Sequence, residues 1–166
     1  MRARPMASHP VPIALGSMHR PSVQRLKASY LVLAPKLAEL VGHFYDELFR
    51  IHPEVRPMFR RDLARTREEF AAALALLGRN IDRLDILEET LMDLGAAHAA
   101  YGVRPSHYPL VRDVLVATLR EFAGPAWSTE LERDWADAVN RVSATMLKGA
   151  ARAAMDAAHD LETRPG

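Results

Sequence analysis

One histidine of this chain stands where it can ligate a metal. Leu87, Leu91, Leu94, His98 and Tyr101 recur at steps of four, three, four and three, the spacing of one face of a helix. An imidazole among leucines has two ring nitrogens to satisfy. A metal takes one, and the N–H of the other reaches the backbone carbonyl one turn back, that of Leu94. The competing reading is a core histidine with the same local hydrogen bond and no metal, the commoner fate of a lone histidine on an apolar face. Gly102 is placed to end this helix and Pro105 to open the next.

The elements that must position His98 are helical. The chain has 166 residues, enough for one domain with a sizeable core. It is 49% hydrophobic and 26% charged with a net charge of +1, which implies no strong field for nucleic acid or an anionic membrane. No cysteine occurs, so disulfides, thiolate zinc sites, iron–sulfur clusters and cysteine nucleophiles are excluded. No apolar run approaches the length of a membrane span. VPIAL near the N-terminus is too short and proline-broken for a signal peptide, so a cytoplasmic protein is expected.

Residues 1–20 carry Pro5, Pro10 and Pro12 without periodicity and read as a flexible extension; 21–154 read as one helical domain and 155–166 as a fraying tail. A first helix is predicted from about Ser22 to Leu33. A second opens at Pro35, with Leu37, Leu40, Val41, Phe44, Tyr45 and Leu48 on its inner side. Pro53 and Pro57 bracket a short turn ending at Phe59, followed by a basic connection with Arg60, Arg61, Arg65 and Arg67. Thr66, Phe70, Ala73, Leu74, Leu77 and Ile81 line the next helix. Beyond Pro105, Tyr108, Val111, Leu115, Leu119 and Phe122 form a stripe that Gly124 and Pro125 break. Thr129 and Glu132 have capping-box spacing at the start of the last helix, whose stripe is Leu131, Trp135, Ala138, Val142 and Met146. Six or seven helices with short joints must pack helix on helix in an all-α domain.

Taken in order, HFYDELFRIHPEVRPMF at 43–59, REEFAAALALLGRNIDRL at 67–84 and HAAYGVRPSHYPLVRDVLVATL at 98–119, with Trp135 beyond them, resemble the globin family. The type is the bacterial single-domain globin similar to the haem domain of flavohaemoglobins, and the resemblance covers roughly residues 22–150. It implies a three-over-three sandwich of six to eight helices around haem b, with His98 as the proximal iron ligand. Phe59 matches the phenylalanine on the porphyrin face; Leu94, Val103 and Val111 match the apolar proximal lining; Phe70 fits the distal wall. Read as bare residues, all five are ordinary core. Tyr45 matches the distal tyrosine that reaches the gas ligand. Its plainer reading is an inner-face aromatic whose hydroxyl bonds the backbone.

Two departures qualify the resemblance. Thr66 stands at the distal position where close relatives carry glutamine, and with Glu69 it also has capping-box spacing. Tyr108 matches a tyrosine that, with a glutamate, holds the proximal histidine, but the glutamate position aligns with Ala150. Without that carboxylate the push of electron density towards iron is weaker, and Tyr108 becomes a packing residue. His43 and His52 read as surface or capping residues, and His107, next to Tyr108 and so about 100° off its face, reads as outward. The implied ligands are O2, NO and CO. No reductase domain follows, so nitric oxide dioxygenation would draw on a separate reductase. The alternatives are a haem-based gas or redox sensor and an interaction module that keeps the fold, as monomer or homodimer.

Overall fold

A computed structural model describes residues 18–59 and 62–163. Six α-helices follow one another: α1 Arg20–Leu33, α2 Leu37–Ile51, α3 Leu63–Arg79, α4 Glu88–Ala100, α5 His107–Ala123 and α6 Thr129–Thr163. Short 3₁₀ turns at Ala34–Lys36, Pro53–Met58, Ile81–Leu87 and Gly124–Ala126 join them, three of them opened by or containing proline. The class is all-α, with no strand among the described residues. No helix among them is long and apolar enough to cross a membrane. Of the extension expected over 1–20, residues 1–17 lie outside the described residues.

The main core is built where α1, α2, α5 and α6 meet. Leu26, Leu33, Leu40, Val41, Phe44 and Leu48 are almost wholly buried against Val114, Leu115, Leu119, Leu131 and Trp135. Each such side chain contributes roughly 1.5–3 kcal/mol by leaving water. The polar groups inside are paired. Trp135 Nε1 donates to Ser29 Oγ at 3.0 Å, and Ser29 Oγ donates to the Leu26 carbonyl at 2.9 Å. Asp134 accepts from Arg25 Nη2 at 3.1 Å; burial works against its charge, but hydrogen bonds from Arg25 and Ser22 and the Arg25 charge outweigh burial and lower its pKa.

A second cluster, Leu84, Leu87, Leu91 and Met146, fills the crossing of α4 and α6. Here the helices touch backbone to backbone. A Cβ on Gly95 would meet the Met146 carbonyl, and one on Gly149 would meet that of Met92. Lys148–Glu88 (2.7 Å) and Arg152–Glu89 (3.2 Å) join the same two helices at the surface.

Several local expectations are corrected. Helix α3 begins three residues before Thr66, capped by Asp62, whose Oδ1 accepts from the Ala64 and Arg65 N–H groups at 3.0 and 3.4 Å. Aspartate is a strong N-cap and comes first in the chain. The capping box at Thr66 and Glu69 therefore does not form: Thr66 Oγ1 donates to the Asp62 carbonyl (3.1 Å) and Glu69 accepts from Arg65 (2.9 Å). Arg65 and Arg67 are helical rather than part of a connection. The last helix is capped by Ser128, whose Oγ accepts from the Leu131 N–H at 3.1 Å, while Glu132 accepts from Trp127 Nε1 at 3.1 Å. The box at Thr129 and Glu132 is one residue out of step. Helix α6 runs unbroken past residue 154 to Thr163, and residues 151–162 are exposed throughout.

Candidate functional site

The stripe that carries His98 does not face the packed interior along its length. Leu87 and Leu91 are buried, but Leu94 is 37% exposed and Tyr101 61% exposed. The face of α4 that packs is Leu91, Met92 and Gly95, because glycines 95 and 149 let α4 close onto α6 there. The face with Leu94 and His98 is turned away from that crossing. Helix α3, the preceding helix in the chain, does not pack closely on α4, and it too carries half-buried apolar residues in Phe70, Leu74 and Leu77.

His98 is half-buried. Its Nδ1 lies 2.8 Å from the Leu94 carbonyl oxygen, and since a carbonyl can only accept, Nδ1 carries the proton. Nε2 is then the lone-pair nitrogen, and it has no hydrogen-bond partner among the described residues. The end of α4 is built to hold this residue. Val103 N–H returns to the His98 carbonyl (3.0 Å) and Gly102 N–H to the Ala99 carbonyl (3.0 Å), a Schellman closure that needs positive φ at Gly102, here +88°. Pro105 lies in the turn before α5, and His107 Nδ1 accepts the Arg104 N–H at 3.0 Å. That ring is half-buried and locally engaged rather than outward.

On α2, Tyr45 is 5% exposed. Its ring is walled by Phe59 (5.5 Å between centroids, interplanar angle 76°), Phe70 (6.0 Å, 72°) and Phe49 (5.8 Å), and it meets Phe44 edge-on at 5.1 Å. Its hydroxyl has no hydrogen-bond partner among the described residues. Burial pushes its pKa up to about 12, the Arg67 charge working against this and the Glu69 charge with it. The phenol is therefore a neutral O–H donor at any physiological pH.

Of the other predicted residues, Phe59, Thr66, Phe70, Val103 and Val111 are half-buried. Phe59, Phe70 and Val111 lean on the main core. The Thr66 hydroxyl proton is taken by α3 itself. Tyr108 packs against the α4–α6 cluster, and burial raises its pKa. No hydrogen bond joins it to His98 among the described residues, and Ala150 offers no carboxylate. His43 pairs with Glu121 (3.0 Å) and His52 with Glu54 (3.1 Å), away from the candidate residues. The sequence reading missed the roles of Gly95 and Gly149 and the Arg67–Asp46 pair (2.9 Å). Glycine inside a helix was the available signal for the first two.

No group of three metal-ligating side chains exists among the described residues. A metal bound at His98 would take its other ligands from something other than side chains, as a porphyrin supplies them. The apolar residues left half-exposed on α3, α4 and α5 and the free Nε2 fit such a flat apolar group.

The Globin family profile matches residues 42–146. The chain is 31% identical over 121 residues to a flavohemoprotein of Rhizobium meliloti, covering 71% of this chain and 30% of that protein. It is 33% identical over 145 residues to a flavohemoprotein of Bordetella pertussis, covering 85% and 36%; the chain thus spans about a third of the length of these relatives. An engineered carbene transferase from Rhodothermus marinus superposes with a TM-score of 0.76 at 27% identity, over 86% of this chain and 99% of that one. A bacterial globin from Campylobacter jejuni shares the fold with a TM-score of 0.71 at 20% identity, over 81% and 97%. With its helices in this order and most of its patterned residues inside the match, the chain belongs to the globin family.

Proposed function

We propose that this protein binds haem b through His98 and takes up O2, NO or CO beside Tyr45. The observation that carries the reading is a pair of groups without partners among the described residues: a histidine whose tautomer is set by a carbonyl so that Nε2 keeps its lone pair, and the phenol O–H of a buried tyrosine. Haem, when bound, supplies an iron that accepts a diatomic gas. The chain's own part is then simple. The Leu94 carbonyl holds the imidazole in one tautomer and orientation. Phe59, Phe70, Leu94, Val103 and Val111 line the slot and keep water out. Tyr45 donates its hydrogen bond to negative charge that develops on the ligand. A neutral carbonyl behind His98, with Ala150 in place of a carboxylate, suits reversible binding better than peroxidase-like cleavage.

The test is an absorption spectrum of the protein loaded with haem. A Soret band that shifts with CO is expected, and His98→Ala should abolish it, with added imidazole restoring it. An unchanged band in His98→Ala overturns the assignment. The Rhodothermus marinus neighbour, whose description names nitric oxide dioxygenation, supports a second role of that kind, in which NO, O2 and one electron give nitrate and a reductase supplies the electron. Nitrate formed when the reduced, air-equilibrated protein meets NO, renewed only when a donor is added, is the outcome expected of that role.

A further inference from the structure

Helix α6 changes its apolar side where it leaves the body. As far as Gly149 its packing face is Val142, Met146 and Gly149, set into the crossing with α4. Continued at 100° per residue, that face carries Asp156 and Asp160, so it offers the body carboxylates rather than methyl groups. The opposite side carries Leu147, Ala151, Ala154, Ala158 and Leu161, at steps of four, three, four and three, with Met155 on its flank. Leu147 is half-buried and the others are exposed, Met155 and Leu161 at 73% each. Such steps make the seam of a coiled coil, and its leucines and methionine give it bulk that a run of alanines lacks. Helix propensity alone is indifferent to which side of an exposed helix the apolar residues take, whereas a seam sorts them to one side to meet a second helix.

The seam fits a second copy of itself, and two separate features give one register. Laid antiparallel so that the whole exposed segment 151–162 covers its counterpart, two tails are centred between residues 156 and 157. The seam layers, with Ala151 opposite the second copy's Leu161 and Ala154 opposite its Ala158, are centred on residue 156. In that register the flanking positions Lys148, Met155 and Glu162 meet across the axis: Met155 meets its own copy, and Lys148 of each chain meets Glu162 of the other. Lys148 already holds Glu88 at 2.7 Å, but its ammonium is 63% exposed and has further N–H donors to give. Within one chain, residues 148 and 162 of the helix lie about 21 Å apart and cannot pair. We infer that α6 from Leu147 onward is the interface of a symmetric homodimer, an antiparallel pair of tails with Met155 at the two-fold axis. The exposed seam is about 18 Å long, too small for a standard stable interface. The dimer is therefore weak, and the chain is monomeric in dilute solution.

The full chain is followed by sedimentation velocity from about 5 to 500 μM, a range that spans weak association. The average mass should rise from that of one chain, 18.5 kDa, towards twice that value. A chain stopped after Ala154 should stay monomeric throughout. Met155→Glu sets two carboxylates at the axis and should weaken the dimer about tenfold or more. Glu162→Lys sets lysine against lysine at both ends, as Lys148→Glu sets glutamate against glutamate, and each should weaken it about three- to tenfold. An equimolar mixture of Lys148→Glu and Glu162→Lys chains should regain the parent's affinity, because each lysine again faces a glutamate. Glu162→Lys alters only an exposed side chain and decides the register if Lys148→Glu does not fold. A full chain that stays monomeric at the highest concentration overturns the inference, whatever else the tail binds. So does a dimer that survives truncation after Ala154, one indifferent to Glu162→Lys, or a mixture no tighter than its parts.

Discussion

Tyr45 shows how much one side chain depends on what it lacks. Its ring is enclosed by four phenylalanines, yet its hydroxyl meets no acceptor among the described residues. A hydrogen bond to a partly charged ligand is worth about 1.5–3 kcal/mol, or about one to two orders of magnitude in retention. Tyr45→Phe is therefore expected to speed O2 dissociation about 10- to 100-fold in stopped-flow traces, and an unchanged rate would remove Tyr45 from the ligand site. The same burial makes a claim about pH. The folded phenol ionises near 12, above its ordinary value of 10. Between those values the unfolded chain gives up a proton that the folded chain keeps, so stability is fully present below pH 10 and falls as pH rises towards 12. The loss is on the order of 2 kcal/mol. Urea unfolding from pH 9 to 11.5 should show a shallower decline in Tyr45→Phe than in the parent.

Among the elements, the pairing of α4 with α6 sets where His98 stands. Gly95 and Gly149 lie at the crossing, where a methyl group would strike carbonyl oxygens of the facing helix. Neither backbone can yield without moving the helix, so Gly95→Ala should cost about 2 kcal/mol or more by urea unfolding. Gly42 is the control. It also lies inside a helix, α2, but has open space where a Cβ would go, and Gly42→Ala should stabilise by roughly 0.5–1 kcal/mol through helix propensity alone. If both substitutions have the same sign, the crossing is not the constraint described. The helix starts show why local patterns mislead by small steps. Thr66 with Glu69, and Thr129 with Glu132, satisfy the capping spacing on paper, but Asp62 and Ser128 precede them and take the N–H groups first.

On the scale of the whole molecule, the body ends before the chain does. Residues 151–162 of α6 are exposed on every side, so they add helix without adding core. A chain stopped after Ala154 should lose far-UV helical signal while its melting temperature moves by less than about 2 °C; a larger drop would mean that the terminal turns pack on something. The all-helical class, the proline- and glycine-marked joints and the hydrogen bond from His98 to Leu94 were legible without coordinates, since each depends on residues a few positions apart. The resemblance carried the family, because ordered motifs across the chain are far more specific than any one of them. Tertiary structure alone decided that α4 buries Met92 and Gly95 and turns Leu94 and His98 aside, that four phenylalanines enclose the Tyr45 ring, and that Arg67 reaches Asp46. Those outcomes depend on how helices far apart in sequence cross, and hydrophobic spacing within one helix carries no record of its partner's backbone.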